Sequence, residues 1–502
     1  MTSEAEIPSR KNSPGIVWLF FTIILVLITR IPFLDMGFGR PDAWRVGVSG
    51  KMLAEFGEYI PSRPPGFPLL ELISALAYRI FGFSPLTWTF TNSLTTIIFC
   101  VSVWAIWSLA KKWNVPYPNL VAFIYSFAPL NWVYSVETID YLWMTSLIVL
   151  SVLAFESEKI SAGKRPVIMG ILLGLAASAR FFAAFQLIPL GILIWASTKS
   201  WKEAGKFLAA FLVTAGIFYS FVLIRVDNFG QYMEWFNSLN AIQSRLTDIK
   251  GAGLTRRFIA PAIGLFGPLC SIAVMTGFIA GRKKLVNGWK IRDRKIWVPS
   301  LMAIFIMVPY LWHLHPNYWI PATGFIIIIL GSINRKTYLL ILAMLIFVAN
   351  IPWWQANIEG LGLIVKPSEN AWAKNIAPYQ NETFYTEMLV RQMLWAQTEE
   401  LLAMELPDNA IVMGNIGIPI ISFLVDGIRP DEMEFSNGRK IEVWSVPGNE
   451  GPYYKYFLSP SQVEDAVNSG YRVFCLPGAE TTYYATYRQN LREVEGVEFL
   501  AL

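Results

Sequence analysis

The sequence predicts a polytopic α-helical membrane protein of about eleven transmembrane helices, with an amphipathic first external loop and a C-terminal extracytoplasmic α/β domain. Three observations predict it. The 502 residues are 54% hydrophobic and only 15% charged, against roughly 25% charged in an average globular chain. The mean hydropathy is +0.44. The charge is also split. Residues 1–354 hold 31 Lys and Arg against 16 Asp and Glu, whereas residues 355–502 hold 10 against 20. A basic membrane body, 1–354, is therefore followed by an acidic water-soluble domain, 355–502, long enough to bury its own core. This composition excludes a soluble multidomain enzyme, a disordered chain and a fibrous one, and no nucleic-acid partner is expected. The three cysteines lie far apart without metal-ligand spacing, and the chain has only two histidines.

A spanning helix needs about 20 mostly apolar residues, fewer where Pro or Gly breaks it. Eleven stretches qualify, near 16–31, 86–110, 117–135, 138–156, 166–180, 182–198, 207–225, 258–281, 296–313, 318–333 and 337–354. The first lacks the small-residue cleavage site of a signal peptide. Lys and Arg concentrate on cytoplasmic loops. Placing Lys111 and Lys112, the run "GRKKLVNGWKIRDRK", and Arg335 and Lys336 inside gives a cytoplasmic N-terminus. An odd number of spans then puts the acidic domain outside the cytoplasm.

The first external segment, about 31–85, is not simply polar. "DAWRVGVSGKMLAEFG" gathers Trp44, Val48, Met52, Leu53 and Phe56 on one helical face, and "PPGFPLLELISALAYRIFG" is amphipathic too. Both read as helices lying in the membrane interface. In the acidic domain, "PDNAIVMGN" turns into a strand. "SPSQVEDAVNSG" carries a helix cap, an acidic first turn and a closing Gly. "YRVFCLP" is a buried strand, and "VEFLAL" reads as another.

Chemistry concentrates at the external mouth. Asp42, in "GRPDAWRVG", reads either as the N-cap of the following helix or as a base or metal ligand. Asp35, seven residues earlier, is its rival. Arg63 precedes a Pro-stiffened corner in "GEYIPSRPPGFPLLELI", where a fixed guanidinium suits a phosphate. The alternative is snorkelling to lipid headgroups. Glu137 and Asp140 are three apart, so on a helix they share a face. Arg180, in "LAASARFFAAF", is the basic residue set well inside an apolar stretch. It is a functional residue by default, or else marks a break between two spans. His313, His315 and Tyr318 flank a late external turn.

An Asp after the first span, then a helix, then "GEY" and "SRPPGFPL", resembles the GT-C class of integral membrane glycosyltransferases. The likeness is to the branch of dolichyl-phosphate-mannose protein mannosyltransferases and aminoarabinose transferases. "APLNWVYSVETIDYLWMTSLIVLSVLAF", "GILLGLAASARFFAAFQLIPL" and "HLHPNYWIPATG" resemble later landmarks in the same order, across residues 16–330. The resemblance implies transfer of a sugar from a polyprenyl-phosphate donor (dolichyl or undecaprenyl) to an acceptor at the outer membrane face. It implies Asp42 and Asp140 as the catalytic acids, and Arg63, Arg180, His313, His315 and Tyr318 as the donor-phosphate set. Asp35 and Glu137 are further acids. Many members carry Asp-Glu after the first span, whereas Asp42 is followed by Ala43. A divalent metal, if one binds, would fall to Asp42 and Asp140. The alternative is a transporter or lipid flippase without transferase activity, which predicts repeats and midplane polar groups. No repeat is visible. A third is a structural envelope partner that binds through its acidic domain.

Overall fold

A computed structural model describes residues 15–63, 65–225, 265–266, 268–308, 316–349, 398–413, 418–446, 451–455, 458, 460–475 and 497–499. The N-terminal body is helical. α1 (Gly15–Arg30) leads through a short turn to α2 (Pro41–Glu55) and α3 (Pro68–Phe81). Then follow α4 (Pro85–Lys112), α5 (Pro118–Phe127), α6 (Pro129–Tyr134), α7 (Asp140–Glu156), α8 (Arg165–Ala179), α9 (Leu187–Thr198) and α10 (Trp201–Arg225). After the segment beyond α10 come α11 (Pro268–Lys290), α12 (Arg294–Met307), α13 (Ile320–Ile333) and α14 (Lys336–Ala349). Pro41, Pro68, Pro85, Pro118 and Pro129 each open a helix, where the missing N–H costs nothing and φ is already helical.

Among the described residues, four helical segments are long and apolar enough to cross a membrane: 15–33, 85–112, 181–198 and 201–224. Shorter apolar helices cover 118–127, 165–179, 317–333 and 336–347. The expected span 117–135 is split by Pro129, which leaves Ala128 extended between α5 and α6. The expected span near 258–281 is helical where it is described and continues beyond its expected end: α11 runs to Lys290 and carries Arg282, Lys283 and Lys284 within the helix. Apolar composition marks where a helix meets lipid, and hydrogen bonding carries it on into polar sequence. Residues 226–264 and 350–397 lie outside the described residues. α8 packs on α10 at Gly174, where an added Cβ would sit 2.6 Å from Thr214. Small residues four apart allow this close approach.

Arg30 is a further buried cation that apolar patterning did not single out. It is 0% exposed. Its guanidinium donates to the Ser126 carbonyl at 2.6 Å and to Ser135 Oγ at 3.1 Å, and lies over the Trp132 and Phe127 rings at 4.4 and 4.9 Å. The carbonyl it satisfies is one freed by the α5–α6 break, so the two features sustain each other.

The C-terminal part holds a six-stranded mixed sheet: β1 (Ala410–Met413), β2 (Arg429–Glu434), β3 (Lys440–Ser445), β4 (Tyr453–Lys455), β5 (Arg472–Cys475) and β6 (Val497–Phe499). The strand order is β2-β3-β4-β1-β5-β6. β1 runs parallel to β4 and β5, and β5 to β6, while β2–β3 and β3–β4 are antiparallel. The strands expected at "AIVM", "RVFC" and "VEF" are present, as is the helix of "SPSQVEDAVNSG", here α16 (Pro460–Asn468). Side chains alternate along β1. Ile411 and Met413 join Val463, Ala466 and Val473 on one face. Ala410 and Val412 join Ile420, Ile421 and Phe423 of α15 (Ile418–Leu424) on the other.

That second face continues into the helical body. Phe38, Trp44, Val48, Met52 and Trp88 belong to the same buried cluster as Phe423, Trp444 and Phe474. Phe423 meets Phe38, Trp44, Tyr78 and Trp88 edge-on, with centroids 4.9, 5.7, 5.8 and 6.2 Å away. Lys51, 1% exposed, donates to the carbonyls of Ser422, Phe423 and Val425 at 3.4, 3.1 and 2.7 Å. A cation at a helix C-terminus satisfies carbonyls that the helix leaves open. The apolar face of α2 was therefore read correctly, but it does not lie on lipid: α15 covers it. α3 differs, exposing Leu76 and Ile80 while burying Leu70, Glu71 and Ser74.

Candidate active site

Four charged residues from four elements meet at one end of the helical body. Asp140 opens α7, and Arg180 terminates α8. The two helices are consecutive and run back past each other, so the start of one and the end of the next face each other. Arg180 is extended (φ −156°, ψ 116°), and a 3-10 turn, Phe181–Gln186, follows it. The break between spans is real, and it turns the Arg180 side chain into the protein. Asp140, 1% exposed, is ion-paired with Arg180, and the guanidinium lies 4.4 Å over the Tyr141 ring and 5.0 Å over Tyr318. Tyr318 thus joins the site through Arg180.

Asp42 enters from α2. It is not the N-cap: Arg40 holds that position without a side-chain cap bond, and Pro41 starts the helix two residues earlier than the Asp-cap reading expects. Asp42 instead lies in the first turn, where its charge suits the helix dipole. Its Oδ1 is 3.3 Å from Arg45 Nη1 and its Oδ2 is 2.9 Å from Arg63 Nη1. Arg63 also reaches towards Asp140, with 4.0 Å from Nη2 to Oδ1. The order Asp42–Arg63–Asp140–Arg180 is a chain of alternating charge. Burial lowers the Arg63 pKa, but Asp42 and Asp140 outweigh it and hold the guanidinium above its ordinary value. The Arg63 guanidinium lies 5.1 Å over the Phe67 ring. The lipid-snorkelling alternative therefore fails for Arg63, whose charge points inward to two carboxylates.

The loop that carries Arg63 is tight. Gly66 N–H donates back to the Arg63 carbonyl at 2.5 Å, and Gly66 has φ +93°, which a side chain would strain. Below it Glu71, 0% exposed, collects four donors. Ser62 supplies its N–H at 2.7 Å and its hydroxyl at 2.6 Å, both to Oε1; Phe67 N–H donates to Oε2 at 3.1 Å, and Tyr59 O–H donates to the same oxygen. Burial pushes the Glu71 carboxyl up, and the hydrogen bonds from Ser62 and Tyr59 oppose the rise.

Glu137 is buried in the turn before α7, against Gly39. It does not share a helical face with Asp140, because extended Ile139 separates turn from helix. Asp35 is exposed and stands outside the charged chain; only its carbonyl is engaged, by Trp88 Nε1 at 2.9 Å. His313 and His315 lie outside the described residues. Arg45, Phe67, Tyr141 and Glu71 were not anticipated. The i,i+3 spacing of Arg45 from Asp42 signals it, and Glu71 in the first turn behind Pro68 is a helix-start signal. Among the described residues no group of three or more His, Cys, Asp and Glu comes together. Arg63 stands between Asp42 and Asp140, so a divalent ion there would face a guanidinium. These two carboxylates do not fit a metal as arranged.

No protein-family model matches the sequence. No curated protein matches it either. The fold does match. Over 81% of this chain and 84% of the other, the structure superposes on ArnT from Cupriavidus metallidurans bound to undecaprenyl phosphate, with a TM-score of 0.53 at 15% identity. The chain has the fold of ArnT. The apo state of that protein gives 0.51 at 15% identity, over 82% and 85%. ArnT is an aminoarabinose transferase of the GT-C class, so the resemblance carried by the motifs is met at the level of fold.

Proposed function

We propose that the protein is a membrane glycosyltransferase that moves a sugar from a polyprenyl-phosphate carrier to an acceptor at the outer membrane face. The observation that carries the proposal is Arg63, placed between Asp42 and Asp140 with Arg180 beyond. Guanidinium groups held in a buried row are suited to phosphate, and a carboxylate beside them is suited to an acceptor hydroxyl. The ArnT structure with undecaprenyl phosphate supports this ligand class. The proposal retains the cytoplasmic N-terminus, which puts the charged chain at the outer face, and treats the C-terminal sheet as a separate domain supplying no catalytic base.

Asp42 takes the proton of the acceptor hydroxyl as its oxygen bonds to the anomeric carbon. The bond from that carbon to the phosphate oxygen breaks, and the electron pair stays on the phosphate. The single displacement inverts the sugar. Arg63 and Arg180 stabilise the charge that the leaving phosphate gains. The donor phosphate also competes with Asp42 for Arg63, which loosens the carboxylate and makes it available as a base. A phosphate monoester leaves without help from an acid, so one carboxylate suffices, and Asp140 holds Arg180 in place.

The test is binding of undecaprenyl phosphate to the purified full chain in nanodiscs. Arg63→Gln and Arg180→Gln should each weaken it roughly tenfold or more, the value of about one charge-assisted contact. Unchanged binding in both variants would contradict the proposal.

A further inference from the structure

Glu71 lies outside the charged chain, yet its four hydrogen bonds all come from residues 59–67, the loop that presents Arg63. Two of the donors are backbone N–H groups, of Ser62 and Phe67. Ser62 directly precedes Arg63, and Phe67 supplies the ring beneath its guanidinium. Tyr59 ties the other end of the loop to α10 by an edge-on contact with Phe221 at 5.2 Å. A buried carboxylate that collects four donors fixes the backbone on both sides of one guanidinium. A packed apolar residue could not do so, because it would leave those N–H groups unsatisfied.

We propose that Glu71 is a positioning residue that braces the 59–67 loop and thereby sets the affinity of Arg63 for the donor phosphate. This rests on the reading of Arg63 as a phosphate-binding residue. Glu71→Gln keeps the shape but turns one acceptor oxygen into an amide that confronts N–H donors. The loop then loses bonds on one side, and the Arg63 guanidinium loses its fixed direction.

The experiment combines two measurements on the full chain in nanodiscs, for wild type, Glu71→Gln, Tyr59→Phe, Arg63→Gln and the Glu71→Gln/Arg63→Gln pair. Amide hydrogen exchange over 59–67 reads the brace without any ligand. Binding of undecaprenyl phosphate reads its consequence. Glu71→Gln should speed exchange in the loop and weaken binding about tenfold, with little further loss in the pair. Tyr59→Phe, which removes one donor and keeps the packing, should move both readouts in the same direction by a factor of about two; it carries the test if Glu71→Gln does not fold. Unchanged exchange overturns the brace. Faster exchange with unchanged binding, while Arg63→Gln binds weakly, overturns the link from loop to affinity. Unchanged binding in Arg63→Gln overturns the phosphate role of Arg63 and the positioning role with it.

Discussion

α2 and α3 are neighbours in the chain and read alike in the sequence, as amphipathic helices of one loop, yet they are held differently. α2 turns Trp44, Val48 and Met52 into an aromatic cluster completed by Phe423 from the C-terminal part. α3 meets that cluster only at its edge, through Tyr78; it leaves Leu76 and Ile80 uncovered and holds the Arg63 loop through Glu71. The difference matters because each helix borders one half of the site. Asp42 sits in the first turn of α2, and Arg63 precedes α3. The proposed base is thus positioned by packing that reaches the C-terminal sheet, and the proposed phosphate ligand by hydrogen bonds within its own loop.

The largest test of this contrast is Phe423→Ala. Phe423 is 0% exposed, and emptying a packed Phe site costs about 3–5 kcal/mol. Limited proteolysis should show the C-terminal sheet cut faster and α2 less protected, although residue 423 lies far from α2 in the chain. Unchanged proteolysis would remove the seat of α2 on α15. The next is Lys51→Met. Three carbonyls lose their donor, which costs about 1–3 kcal/mol, and hydrogen exchange in 418–428 should rise. Binding of undecaprenyl phosphate should stay within about twofold, because the variant leaves the Arg63 loop intact. The smallest is Leu76→Ala on α3. An exposed side chain away from any packed contact changes stability by no more than about 0.5 kcal/mol, and the melting profile should match wild type. A large loss there would mean that something covers α3 as α15 covers α2.

Much of this was legible in the sequence, and the misses share a cause. The apolar face of α2 was read residue by residue, but the periodicity of a helix says nothing of what covers it, and Phe423 is hundreds of residues away. The closing Gly470 of α16, at φ +86°, and strand β1 are local features and were found, whereas the acidic first turn was not, because α16 starts at Pro460 and Glu464 falls beyond its first turn. The β2–β3 hairpin was missed because "RPDEME" carries Pro and three acids, which suit an edge strand and obscure the alternation. Its turn holds Asn437-Gly438, with Gly438 at φ +77°, the hairpin signal that was available. Asp42, Arg63, Asp140 and Arg180 were singled out by residue type and boundary position. Their pairing was not readable, since it depends on the α7–α8 return and on Pro41 starting α2 two residues early. Glu71 was hidden because it has the appearance of an ordinary first-turn acid.

The central claim is that Asp42 acts as the base, and Asp42→Asn tests it most directly. The variant keeps the size of the side chain and one acceptor oxygen for Arg63, but it cannot take up a proton at neutral pH. Transfer from a polyprenyl-phosphate sugar should be measured at equal membrane abundance, with Asp35→Asn as the matched control on the exposed neighbouring acid. The account predicts that Asp42→Asn loses transfer by roughly a hundredfold or more while still binding undecaprenyl phosphate, and that Asp35→Asn stays near wild type. Near-normal transfer by Asp42→Asn alongside an inactive Asp35→Asn would contradict it and move the base to Asp35.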